Sequence, residues 1–122
     1  MGYESRLYVV KKGTIKEEVE GKEYVWAEKI AMFNLCKVYA VSDKMRKAKD
    51  TDCFIYEDDG NTKIVTDRYG DALKEMTIKE AIQILEEAAE KDDYRRYAPC
   101  ISLLKGFNEP QWQGLAVLHY GY

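Results

Sequence analysis

Reactive side chains are few in this chain, and their spacing limits the chemistry open to them. There is one imidazole, His119, and there are three thiols, Cys36, Cys53 and Cys100. A cysteine activated by a histidine is the one nucleophilic pairing these types allow, because a thiol is mostly protonated at neutral pH unless a base or a cation draws off its proton. A small enzyme using Cys/His chemistry is therefore one reading. Against it, His119 lies in an apolar stretch, Leu115 to Tyr120, where a histidine is ordinarily packed and bonded to a backbone carbonyl. The thiols are odd in number and show no CxxC spacing, so they make neither a disulfide framework nor a zinc site with close ligand pairs. The phosphate-binding glycine loop, the dinucleotide glycine pattern, the serine elbow and the HExxH zinc helix are all absent. The expectation is a non-enzymatic protein with no metal and no cofactor.

Two polar clusters invite other chemistry. Asp58-Asp59-Gly60-Asn61 sets three oxygen-bearing side chains around a glycine, as calcium loops do. An EF-hand needs acidic ligands at alternate positions and a distal glutamate, and this segment lacks both. Turn formation accounts for it, since glycine tolerates positive φ and aspartate resists it least. Tyr94, Arg95, Arg96 and Tyr97, with Trp112 further on, mix basic and stacking groups in the manner of single-strand nucleic-acid binders. Two arginines make a small electrostatic footprint, however, and Asp92 and Asp93 adjoin them. Nucleic acid is thus an alternative partner, not the expected one.

Charge is distributed more tellingly than its net value of −3. Residues 1–49 hold 11 basic against 7 acidic side chains, residues 50–93 hold 5 against 14, and residues 94–122 hold 3 against 1. An acidic middle repels phosphates and suits a basic protein partner. The residues expected to meet that partner are Asp58, Asp59, Glu86, Glu87, Glu90, Asp92 and Asp93.

Those carboxylates must be positioned by regular elements. The segment Thr77 to Asp93 carries the clearest period in the chain. Thr77 and Glu80 have the spacing of a capping box. Ile78, Ala81, Ile82, Ile84, Leu85, Ala88 and Ala89 then recur on one broad side, which predicts a helix over about 77–92 with its glutamates outward. Pro99 in a first turn and Gly106 as a stop predict a second helix over 99–105. Ser42 suits the cap of a short helix, Asp43 to Lys47.

Arg6 to Lys11 reads as a strand, followed by a polar connection to about Lys22 that contains an exposed hairpin. Tyr24 to Phe33 is a second strand candidate, favoured by its aromatics, although Ala27, Ile30, Ala31, Asn34 and Leu35 also follow helical spacing and make a helix over 26–36 the competing reading. Cys53 to Thr66 predicts a hairpin turning at Asp59-Gly60 in a two-residue type I′ turn, with Ile55 opposite Ile64 and Tyr56 opposite Lys63. Glu109 to Trp112 reads as one helical turn. The final strand, Gly114 to Tyr120, is apolar on both faces. Such a strand belongs inside a sheet, here beside the first strand.

At 122 residues the chain fits one domain, 1–122, large enough to bury a core without staples. Its expected class is α+β: an antiparallel sheet of four to five strands with the two helices on one face. No run is apolar enough to span a bilayer, and the start carries no signal-peptide pattern, so the expected location is the cytoplasm.

The segments GYESRLYVV (2–10), DDGNTKIVTDRYGDAL (58–73), DDYRRYAPCISLLKGF (92–107) and WQGLAVLHYGY (112–122) resemble those of small phage and prophage proteins of Gram-positive bacteria. The resemblance carries no catalytic residues. What it implies is a protein that acts in the host cytoplasm by binding a host or phage protein. Such proteins include inhibitors of host defence of the anti-CRISPR kind, which set acidic surfaces against basic channels.

Overall fold

The computed structural model describes residues 4–36, 39–91, 94–109 and 111–122, and the side chains of these except 36, 39, 40, 94 and 96. Among the described residues it is an α+β fold with a seven-stranded mixed sheet and three helices. The elements in chain order are β1 (Ser5–Val19), β2 (Lys22–Cys36), α1 (Tyr39–Met45), β3 (Lys49–Asp50), β4 (Cys53–Tyr56), β5 (Lys63–Ile64), β6 (Lys74–Met76), α2 (Ile78–Lys91), α3 (Tyr94–Phe107) and β7 (Leu115–Gly121). The strand order is β3-β6-β7-β1-β2-β4-β5. All described pairings are antiparallel except β2 with β4, which is parallel.

The order of strands forces the sheet to curl. β3 and β4 stand five positions apart, which would be about 24 Å in a flat sheet with strands about 4.8 Å apart. Only Thr51 and Asp52 separate them in sequence. Three residue steps reach at most about 11 Å. The sheet therefore wraps until β3–β4, a single bent segment, touches β6 on one side and β2 on the other. Tyr8, Val10, Ala27, Cys53, Ile55, Leu73, Ala116 and Leu118 fill the inside of the resulting barrel. The opposite residues of the same strands, Leu7, Val9 and Val117, join Leu85, Tyr97, Ile101 and Leu104 in the core beneath the helices. Strand alternation thus feeds two cores from β1 and β7, which explains why both strands are apolar on both faces. These two strands lie side by side at the centre of the sheet, as their sequences predict.

The capping box of α2 is formed as its sequence predicts. Glu80 N–H donates to Thr77 Oγ1 at 3.0 Å, and Thr77 N–H donates to Glu80 Oε1 at 3.1 Å. The helix buries Ile78, Ala81, Ile82, Leu85, Ala88 and Ala89.

Several expectations need correction. The sheet has seven strands, not four to five, and it is mixed. Short two- and three-residue strands escape periodicity because they hold too few residues to show alternation. Helix α3 spans 94–107 instead of 99–105, and Pro99 is its sixth residue, where the proline costs the helix only the hydrogen bond to the Arg95 carbonyl. α1 contains Ser42 instead of being capped by it. The polar stretch 12–22 is no loop: β1 runs through it to Val19 and turns at Glu20 and Gly21, both at positive φ (52° and 83°). That is the type I′ pattern. The β4–β5 register is as predicted, Ile55 opposite Ile64 and Tyr56 opposite Lys63. Its loop is longer than two residues: Gly60 N–H donates to the Glu57 carbonyl at 2.9 Å, and of the central pair only Gly60 takes positive φ. The segment Glu109 to Trp112 is a turn closed by Trp112 N–H to the Glu109 carbonyl, and Pro110 lies outside the described residues.

Candidate functional site

The even-numbered ladder of β1 and β7 changes character along the barrel. Val10, Ala116 and Leu118 are apolar and buried. Tyr8 and Tyr120 follow, meeting edge to face at 6.3 Å and 87°. Arg6 and Tyr122 then end the ladder at the barrel mouth. The Arg6 guanidinium lies 4.6 Å from the Tyr122 ring and 5.7 Å from the Tyr120 ring, and Nη1 donates to the Tyr8 hydroxyl at 3.5 Å. Arg68 approaches Tyr122 at 4.8 Å. From β2, Lys29 reaches over the Tyr8 ring at 5.9 Å and pairs with Asp58 at 3.2 Å. These separations fall within the range where a cation is drawn to a ring face.

Two adjoining grooves of about 380 and 300 Å³ run through this cluster. They share Arg6, Tyr8, Lys29 and Asp58, with Met32 beside one and Glu57 and Asp59 beside the other. Met32 is 53% exposed, the second most exposed large apolar side chain among the described residues. Tyrosine, arginine and methionine are the types enriched at protein interfaces, where rigid rings and planar guanidinium groups give contact area at low entropic cost.

The carboxylates expected to form one acidic patch are divided between two places. Asp58 and Asp59 sit at the barrel mouth. Asp59 is occupied by its own loop, accepting from the N–H groups of Asn61 and Thr62 at 2.8 and 2.9 Å and from the Thr62 hydroxyl at 2.7 Å. Those backbone bonds, more than any cation, hold its carboxyl below the usual carboxylate range. Glu86, Glu87 and Glu90 lie on α2, which packs on the outer, helical face. Glu86 pairs with Lys105 at 3.6 Å, and Glu87 pairs with Lys44 and accepts from Gln83 at 3.3 Å. Glu90 is exposed. Asp92 and Asp93 lie outside the described residues.

The described nucleophilic candidates are all buried. His119 is buried, and its Nε2 is 3.0 Å from Ser5 Oγ, itself fully buried. Burial, with Arg46 nearby, depresses the His119 imidazole to about 4. Cys53 and Cys100 are buried, and burial pushes the Cys100 thiol up to about 12. The Cys36 side chain lies outside the description. Asp52, Cys53 and Glu75 place ligand atoms within 4.8 Å of one another. The Lys12 ammonium already stands 3.0 Å from both Asp52 and Glu75, where a cation would sit. Burial works against that ammonium, but its bonds to Glu75 and Asp52 outweigh the penalty and raise its pKa. Of the proposed stacking residues, Tyr97 is fully buried under the helices, and Trp112 packs edge-on against Phe107 at 5.2 Å. Arg95 is exposed, and the side chains of Tyr94 and Arg96 lie outside the description.

Sequence reasoning missed the mouth cluster. Its signal was present: Arg6 with Tyr8, and Tyr120 with Tyr122, are two-residue spacings at the ends of the strands that lie side by side. Comparison with protein-family models, curated proteins and solved structures finds no match.

Proposed function

We propose that this domain is a protein-binding module without chemistry of its own, and that the barrel mouth is its contact surface. The supporting observation is convergence. Arg6, Lys29, Asp58, Tyr120 and Tyr122 come from four separate segments to line one groove, and the arginine and tyrosines among them are types that dominate binding energy. The rim carries both signs of charge, with Glu57, Asp58 and Asp59 facing Arg6, Lys29 and Arg68, so a partner segment with basic residues flanked by acidic ones complements it. In the phage setting that the sequence resemblance implies, such a module acts as an inhibitor that covers a working surface of a host protein.

A second surface is the outer side of α2. Its ion pairs with Lys44 and Lys105 are solvent-exposed, hence weak, and exchangeable for a partner's cations. Photo-crosslinking separates the two surfaces. Benzoylphenylalanine at Met32 or Asp58, in cells that naturally carry the chain, is expected to capture one common protein, and Arg6→Ala with Tyr122→Ala should abolish the adduct. Adducts formed only from positions 86 and 90 would move the contact to α2. Silence at all four positions would remove the protein-binding reading.

A further inference from the structure

The distal half of the β1–β2 hairpin leaves the barrel. β7 pairs with β1 only over residues 5–11, and β4 pairs with β2 only at Val25 and Trp26. Between Lys12 and Lys16 the register shifts, with Lys12 opposite Ala27 and Lys16 opposite Val25. Gly13 sits in that bulge because a Cβ there would meet the Trp26 ring at 2.7 Å. Beyond it, Glu17 to Val19 and Lys22 to Tyr24 form a two-stranded ribbon, and no described strand pairs with the outer edge of β1 from Lys16 on. A two-stranded ribbon is marginal in water, and an open edge is a template for another strand.

The turn fixes which groups the edge offers. Val19 and Lys22 flank a two-residue turn, so they are a hydrogen-bonded pair whose N–H and C=O groups face each other. The groups of Glu17 therefore also face β2, and those of Lys16 and Glu18 face outward. An added strand must bond to Lys16 and Glu18.

We infer that the occupant is the same edge of a second copy, paired antiparallel about a two-fold axis through Glu17. Three self-pairings satisfy the outward groups. Lys16 opposite Lys16 of the second copy sets ammonium against ammonium. Glu18 opposite Glu18 sets carboxylate against carboxylate. Lys16 opposite Glu18 matches opposite charges twice and forms four backbone hydrogen bonds. The same register places Ile15, the most exposed large apolar residue among those described at 58%, opposite Val19. It also brings the two Glu17 side chains together, and each is already neutralised by Lys63 of its own chain at 2.8 Å. Lys16 is held only loosely within its own hairpin, at 3.8 Å from Glu23. A shift by one residue breaks the bonding pattern and sets Ile15 or Val19 against a charge. The edge thus complements itself in one register, which selects a second copy over an unrelated strand.

The test is a charge exchange read by light scattering after gel filtration. The wild-type chain is expected at twice its 14.2 kDa mass as concentration rises. Lys16→Glu and Glu18→Lys should each be monomeric, because each sets like charges opposite one another twice. Mixed in equal amounts they should dimerise, since every facing pair is then opposite in sign. Unchanged near-ultraviolet circular dichroism establishes that the exposed substitutions leave the fold intact. A wild type that stays monomeric to its solubility limit, a single variant that still dimerises, or a mixture that does not, overturns the inference.

Discussion

His119 allows a stability measurement whose sign and size follow from its surroundings. The imidazole is 2% exposed, faces the core beneath the helices beside Leu7, and is bonded to Ser5. Arg46 and Lys74 line the adjoining cavity with Asp50, Asp67 and Asp71. Burial and the Arg46 charge hold it near 4 in the folded chain, against 6.5 in the unfolded one. Between those values the unfolded chain binds a proton that the folded chain refuses, so stability falls as pH drops. The full effect is about 3 kcal/mol, at about 1.4 kcal/mol per pH unit. Most of the carboxylate contribution enters only below about pH 5, so the useful interval is from about pH 7.5 to about 5.5. Across that interval His119 alone contributes a loss of about 1.3 kcal/mol. Urea unfolding should register it as a midpoint lowered by roughly 0.4–1.3 M, given slopes of about 1–3 kcal/mol per M. His119→Gln keeps a polar partner for Ser5 but cannot titrate. Its stability is expected to be lower at both pH values and nearly equal between them. A wild-type midpoint that does not move, or a variant that keeps the wild-type slope, would refute the assignment.

Two further outcomes are expected. Thr77→Ala removes one half of the α2 capping box and should cost about 1 kcal/mol, a fall of a few degrees in thermal midpoint; in a Glu80→Ala background the added cost should be smaller, because the two bonds act reciprocally. Glu75→Gln leaves Lys12 with Asp52 as its only carboxylate partner and should cost about 2 kcal/mol in urea unfolding, a discount from the usual cost of breaking a buried pair because the Lys12 side chain is 35% exposed. Lys12→Met with Glu75→Gln should recover part of that loss, and a double variant no better than the single would refute an unpaired Lys12 charge as its cause.

Legibility in the sequence tracked how locally each feature is determined. The α2 helix could be read because its cap and apolar stripe lie within one segment. The β4–β5 register could be read because its hairpin is short. β1 and β7 could be placed side by side because each is apolar on both faces, which leaves a strand no position except inside a sheet. The curl of the sheet could not be read. It depends on Thr51 and Asp52 joining β3 to β4 across five strand positions, and no pattern within residues 49–56 reports a distant pairing. The helix start at Tyr94 was hidden by Pro99, since a proline marks a boundary unless the turn before it already carries the helix.

The same division decides what could be known of a site. Counting charges along the chain joined Asp58 and Asp59 to Glu86, Glu87 and Glu90, because neighbours in a composition window look like neighbours in space. The hairpin takes the first pair to the barrel mouth, and the helix takes the other three to the opposite layer, beside Lys44 and Lys105. Meanwhile Arg6 and Tyr120, 114 residues apart, are set directly opposite by the β1–β7 register. Charge asymmetry in a sequence therefore reports a surface only when one element carries it. For this chain that element is α2, and the groups gathered from several elements are the tyrosines and arginines, which no window would have joined.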